Sequence, residues 1–249
     1  MDNQPERIML LKIPLDIIPP ENLQLFIDNK YKSSRKNYNI VLLSLWDLLR
    51  ARRNSEYREF LFNAALIIPI SKSLIKGVSF LTGKTPVRHM PFNFIISFLS
   101  ILERQEGTLF LLGGGNRVLK KAERNLRSTF PRLTVVGRCD RKMCKQEEAA
   151  VIEAIRKASP DLLLAGRGIR GEELWIARNS SELNSGFRLW CSDLFDVLAE
   201  KRKRPSDAVF NMGLESIGFC LRNPFKFFRI FAWFYYMLLL LFYRLFKKK

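Results

Sequence analysis

Read from its residues alone, the chain is an α/β protein: a mostly parallel, Rossmann-like sheet with flanking helices, ending in a helical, membrane-associated appendage. Short apolar runs of strand length alternate with amphipathic helix-length segments at βαβ intervals. Two of those runs, Thr108–Leu112 and Asp161–Ala165, stop at glycine-rich corners that lead into helices, as strands buried on both faces of a parallel sheet do. The carboxyl end differs in kind: Phe225–Phe246 reads FKFFRIFAWFYYMLLLLFYRLF, followed by three lysines. Residues 1–200 are therefore assigned to the sheet domain and 201–249 to the basic, apolar appendage.

The elements follow in order. Ile8–Ile13 reads as a first strand, and Pro19, Pro20 and Glu21 start a helix that continues through Asn22–Asn29. Lys30–Asn37 is a basic loop. Ile40–Ser44 is a strand, Trp46–Phe62 one amphipathic helix, and Ala65–Ile68 a strand ending at Pro69. Helices over Ser71–Leu81 and Phe92–Leu102 precede the strand Thr108–Leu112. After Gly113-Gly114-Gly115-Asn116 come a helix at Arg117–Ser128, a strand at Leu133–Gly137 and a helix at Lys145–Ser159. Gly186–Cys191 makes the last strand and Leu194–Glu200 a short helix, in which Asp196 serves as a cap or brace.

With 249 residues and 47% hydrophobic content, the chain buries a full core, and its length suits one α/β domain with an appendage. A net charge of +18 calls for an anionic partner, which composition leaves open among nucleic acid, acidic lipid and phosphorylated substrate. Cys139, Cys144, Cys191 and Cys220 show no C-x-x-C spacing, and His89 is the only histidine, so neither a zinc site nor a Ser-His-Asp triad is expected. Asp2 and Glu6 ahead of a short apolar run make a poor signal peptide. Nucleic acid is set aside, because no reading motif occurs and the aromatic residues cluster in one apolar block.

The corner Pro160–Ile176, PDLLLAGRGIRGEELWI, admits several readings. As G-x-G-x-x-G with Asp193 roughly 20 residues on, it matches a dinucleotide fingerprint. As a plain βα turn it needs no ligand. The corner Gly113–Asn116 is similarly divided between a tight turn and a phosphate cradle made of backbone N–H groups at a helix start.

The longer stretch PDLLLAGRGIRGEELWIARN resembles the signature of the WecG/TagA/CpsF glycosyltransferases, whose corresponding run reads approximately PDLLLVGLGxPKQELWIARN. Arg170 and Gly171 stand for its Pro-Lys and Glu172 for its Gln. The resemblance continues in TLFLLGGGNRVLKKAERNL, LFDVLAEKRKRP and GLESIGFCLRNPFKFFR, spanning about Ile40 to Arg229. It implies an inverting enzyme that transfers N-acetylmannosamine or a related sugar from a UDP-sugar donor to a polyprenyl-diphosphate-linked acceptor, with no cofactor and no metal. The sites it implies for substrate are Arg88, Gly113, Gly114, Gly115, Asn116, Gly166, Gly168 and Arg170.

The chain departs from that family at the chemistry. Leu42 and Ser44 stand where the family has T-x-N, and Pro69-Ile70-Ser71 where it has P-D-G, so the usual catalytic acid is replaced by Ile70. Arg88 is kept, while Asn93 replaces another acidic residue. Glu172 is then the carboxylate expected to act as substitute base or sugar ligand. A catalytically silent relative, serving as a membrane-bound binding or scaffold protein, is the other reading of the same replacements.

From Ala199 to Lys249 there are eleven Lys and Arg against three Asp and Glu. Within this stretch Ile230–Tyr243 gives only 14 uninterrupted apolar residues, short of the about 20 that span a bilayer. An interfacial or re-entrant helix with a basic collar on the cytoplasmic face of an anionic membrane is expected. A buried terminal helix or a homo-oligomer contact is the alternative.

Overall fold

A computed structural model describes residues 5–32, 37–169, 171–203, 210 and 228–246. Eight strands and eleven helices are seen among them. A hairpin, β1 (Glu6–Leu10) and β2 (Ile13–Ile17), opens the chain. Then come α1 (Pro20–Lys32), β3 (Tyr38–Leu43), α2 (Leu45–Arg53), α3 (Ser55–Phe62), β4 (Leu66–Pro69), α4 (Lys72–Thr82) and α5 (Pro91–Arg104). The second half holds β5 (Thr108–Leu112), α6 (Asn116–Thr129), β6 (Thr134–Cys139), α7 (Arg141–Gln146), α8 (Glu148–Ala158), β7 (Leu162–Ala165), α9 (Glu173–Arg178), β8 (Phe187–Trp190) and α10 (Leu194–Leu198). The last described element is α11 (Phe228–Phe246).

Six strands form one sheet in the order β4-β3-β8-β7-β5-β6, and every pairing in it is parallel. The expected α/β architecture is thus observed. Strands such as Leu162–Ala165 are buried along their whole length because helices cover both faces. One face carries α1, α5, α6 and α10 over Leu109, Leu111, Leu162 and Leu164. The other carries α8 and α9 over Phe110, Leu112 and Leu163, and α2, α3, α4 and α11 over Val41, Leu43 and Ile67.

The connection after β5 runs outward to β6, whereas the connection after β7 runs the other way to β8. Adjacent strands that part in this manner open a crevice at their carboxyl ends, where open α/β sheets bind ligands. Both glycine corners lie at that place.

Several elements differ from expectation. The first strand, expected at Ile8–Ile13, is a hairpin whose turn residues Leu11 and Lys12 have φ of 51° and 69°. No Gly or Asn signals this turn; instead Leu11 is buried and Arg52 donates to its carbonyl at 2.8 Å, which holds the strained residue in place. Buried Asp16 of β2 then accepts the Ile67 N–H of β4 at 2.7 Å and pairs with Arg7, so the hairpin covers that edge of the sheet.

The single helix Trp46–Phe62 is two helices. Asn54 leaves helical geometry (φ −115°, ψ 112°) and its side chain caps α3 by accepting the Tyr57 N–H at 2.8 Å. The helix Lys145–Ser159 is likewise divided, at Glu147. Helix α1 runs through Lys32, into the stretch expected to be a loop, the rest of which, 33–36, lies outside the described residues.

Helix α11 packs on α4 and α2. Tyr236 and Leu240 are buried there, while Phe231, Phe234, Leu238, Leu241, Phe242 and Leu245 point outward. Among the described residues no helix is long and apolar enough to cross a membrane.

Candidate functional site

At the switch point the two corners are bonded to each other. Gly166 N–H donates to Leu112 O at 2.8 Å, Gly114 N–H to Arg167 O at 2.7 Å, and Gly113 N–H to Cys139 O at 2.8 Å. The amides of Gly113 and Gly114 are therefore spent inside the fold and do not form the cradle expected of them. Glycine is required where the corners touch: Gly113 has φ 98°, and a Cβ there would lie 2.7 Å from Gly166 O. Gly166 itself faces the Phe195 ring at a distance that leaves no room for a side chain, and the same ring lies beneath Gly114. Gly168 (φ 102°) packs against Arg141. Arg170 lies outside the described residues.

The helices leaving the two corners differ in what their starts attract. Helix α6 is 14 residues long, has no acidic residue in its first turn, and starts with no side-chain cap at Gly115. Its exposed Arg117 adds a positive charge to the positive end of the dipole. Helix α9 has six residues and begins with Glu172 and Glu173. The exposed Glu172 carboxylate repels a phosphate, so the charge at the start of α6 suits an anion better than that at the start of α9. The fingerprint reading of Gly166–Gly171 fails further at Asp193, whose carboxylate is paired with both Arg167 and Arg202.

The acidic start of α9 reaches the ends of β3 and β4. Ser44 caps α2 in a reciprocal capping box: its N–H and Oγ–H donate to Asp47 Oδ2 at 2.9 and 2.5 Å, and its Oγ accepts the Asp47 N–H at 3.4 Å. Ser71 Oγ accepts the Leu45 N–H at 3.1 Å. Glu173 is buried beside this cluster, 3.4 Å from Arg50 Nη1, and the buried Tyr57 hydroxyl is directed at it without attaining hydrogen-bond geometry. Burial, then the charge of Asp47, pushes the Glu173 carboxyl up to about 8 against the pull of Arg50. Burial also raises Asp47, against the hydrogen bonds from Ser44 and with a smaller push from Glu172.

Glu172 itself is exposed and precedes α9 in a backbone conformation (φ 55°, ψ −125°) that favours glycine. A non-glycine residue held there costs on the order of 1–3 kcal/mol, and such strain clusters at functional sites. Glu172 is thus held exposed near Asp47, while its neighbour Glu173 is buried beside Asp47 and Arg50.

Ile70 packs into the core on the side of α5, and its carbonyl accepts from Arg88 Nε at 2.8 Å. Arg88 also donates to Phe210 O and stacks over the Phe210 ring at 3.7 Å. Asn93 is exposed on α5. Asp196 sits in the first turn of α10, with Lys201 at 3.7 Å.

Ser44, Asp47, Ile70 and Ser71 therefore lie together at the carboxyl ends of β3 and β4 with Glu172 near Asp47, separated from β5 by β8 and β7. The sequence expectations did not include Asp47, nor the burial of Glu173 or the packing of Phe195 under Gly114 and Gly166. Asp47 was legible as the fourth residue of an S-x-x-D cap box; the burial of Glu173 and the seat of Phe195 depend on tertiary packing.

The sequence matches the glycosyl transferase WecG/TagA/CpsF family over residues 8–249. It is similar to an N-acetylglucosaminyldiphosphoundecaprenol N-acetyl-beta-D-mannosaminyltransferase of Staphylococcus aureus (strain NCTC 8325 / PS 47), at 24% identity over 202 residues, 79% of this chain and 76% of that protein. The Bacillus subtilis (strain 168) protein of the same name is 20% identical over 176 residues, 71% of this chain and 68% of its own length.

Proposed function

The chain belongs to the WecG/TagA/CpsF family of glycosyltransferases, and from that premise we propose that it transfers N-acetylmannosamine or a related sugar from a UDP-sugar to a polyprenyl-diphosphate-linked N-acetylglucosamine. The observation that carries this reading is the switch-point crevice, with an uncapped, acid-free start of α6 on one side and carboxylates on the other. In the reaction an acceptor hydroxyl attacks the anomeric carbon, the bond from that carbon to the diphosphate oxygen breaks, and UDP departs. Gly115, Asn116 and Arg117 stabilise the departing diphosphate, and Glu172 takes the hydroxyl proton. Glu172 is the carboxylate for this task because Ile70 carries no proton acceptor and Glu173 is buried against Arg50.

The acceptor is a lipid, and α11 supplies the means to meet it. Its outward apolar face, with Arg244 and the lysines at 247–249, lies in the interface of an anionic membrane, on the cytoplasmic side. Replacement of the family's acid by Ile70 favours one other reading, a silent relative that keeps the fold. Release of UDP from UDP-N-acetylmannosamine in the presence of lipid-diphosphate-linked N-acetylglucosamine separates the two: turnover supports the transferase, and its absence with intact UDP binding supports the silent relative.

A further inference from the structure

Arg188 of β8 is a cation in the core: only 1% of its surface is exposed, on the face of the sheet that α3 and α9 cover. Part of its guanidinium is used by the chain between α9 and β8. Nε donates to Ser185 Oγ at 3.0 Å, and Nη2 donates to Ser180 O at 2.8 Å and to Leu183 O at 2.7 Å. A guanidinium carries five N–H donors, and the two on Nη1 remain. Nη1 is buried and meets no hydrogen-bond partner among the described residues. Burial pushes the group down to about 10, which still leaves it charged at neutral pH.

Asn39 of β3 has the complementary defect. It is the register partner of Arg188, and partners across a parallel pair send their side chains to one face from backbones about 5 Å apart. Its Oδ1 is likewise buried with no partner among the described residues. Both residues line one cavity, together with Phe60 of α3, Glu173 and Ile176 of α9, and Trp190. The cavity follows the weakest seam of the sheet: β3 and β8 pair over three residues, where every other adjacent pair matches four or five.

The volume of this cavity is about 10 Å³. A buried water needs about 10–15 Å³ and two to four polar partners. Larger occupants do not fit, and an anion drawn by Arg188 would also face the Asn39 carbonyl oxygen, which repels it. Water suits both atoms, because it accepts and donates at once.

We propose that the cavity is a binding site for one internal water, which accepts a hydrogen bond from Arg188 Nη1 and donates one to Asn39 Oδ1. The bridge joins β8 to β3 beneath α9, and through Arg188 it ties in Ser180, Leu183 and Ser185 as well. It does not depend on which reaction the protein catalyses.

Two measurements on the full chain test it. The first is a high-resolution crystal structure from crystals grown with bromide as the sole halide. One ordered water about 3 Å from both Arg188 Nη1 and Asn39 Oδ1 is expected. An anomalous bromide peak there, or a dry cavity, overturns the assignment. The second compares melting temperatures of Asn39→Leu, Arg188→Met and the double variant. Asn39→Leu alone should lower the melting temperature by about 2–4 °C, because it displaces the water and leaves Nη1 buried without a partner. In the Arg188→Met background the same change should cost nothing, since no donor is left to satisfy. An equal loss in both backgrounds, or a gain from Asn39→Leu alone, overturns the bridge. If Arg188→Met does not fold, the crystal structure and Asn39→Leu alone decide.

Discussion

Tyr236 of α11 lays its ring over Gly77 of α4 so closely that a methyl group at Gly77 would overlap the hydroxyl, which donates to Ser73 O at 3.1 Å. Glycine inside a helix costs about 1 kcal/mol relative to alanine, and here that cost is offset by the close seating of a buried tyrosine. Gly77→Leu is expected to unseat α11 while the sheet stays folded. Limited proteolysis should then release the carboxyl-terminal segment from the variant faster than from the native chain. Equal cleavage rates would show that α11 is not held through this contact.

Glu173 makes stability depend on pH. Its folded-state carboxyl is raised to about 8 from an ordinary 4.5 by burial and Asp47, with Arg50 opposing and Glu172 adding a smaller push. Between those values the native state binds more protons than the unfolded chain, so stability is greatest below the lower value and falls as pH rises through the window. Asp47 is raised in the same sense. Urea midpoints measured at pH 5.5 and pH 8 should differ in the native chain and converge in Glu173→Gln. A native curve that is flat, or rises, across this range contradicts the buried-acid assignment.

Glu172 is expected to oppose stability to activity. Glu172→Gly removes the left-handed strain at φ 55° and should raise the unfolding free energy by about 1 kcal/mol. The same change removes the proposed base, which lowers transfer by about 10² to 10⁴. Glu172→Gln should lose turnover similarly and keep UDP affinity. Turnover at native level in both variants would assign the proton to another group.

Gly115 offers the clean probe of the phosphate corner. Its φ is −93° and nothing lies within 4 Å of an added Cβ, so Gly115→Val folds normally while placing bulk at the start of α6. UDP affinity should fall at least about tenfold, since backbone approach is blocked. Gly168→Val is a poorer probe, because φ 102° and the Arg141 side chain make the substitution destabilising whatever it does to a ligand. Undiminished UDP binding by folded Gly115→Val would remove this corner from the donor site.

The sheet was legible because its strands are uninterrupted apolar runs and its corners are rich in glycine. Leu109–Leu112 and Leu162–Ala165 need no neighbour to identify them. The hairpin was not, because its turn is Leu11-Lys12, stabilised by burial from residues about 40 positions away rather than by local turn chemistry. In the site, the glycines and Glu172 were visible as a motif. The difference in burial between Glu172 and Glu173 was not visible: which of two adjacent carboxylates is buried depends on α3 packing against α9 and on Arg50 of α2. Likewise, the amides of Gly113 and Gly114 looked available in a glycine run, and only the pairing of β5 with β7 and β6 shows where they are spent.

The place of β8 in the sheet also sets an order of events during synthesis. It lies between β3 and β7, pairing Tyr38 and Leu162 alike with Phe187. A nascent chain that has not yet emerged past Trp190 therefore holds two separate sheet fragments, β4–β3 and β7–β5–β6, with no strand to join them. Closing a contact across so long a stretch of chain is entropically slow. The carboxyl edge that carries Ser44 after β3 and the glycine corners after β7 and β5 is therefore assembled only when β8 is threaded between β3 and β7.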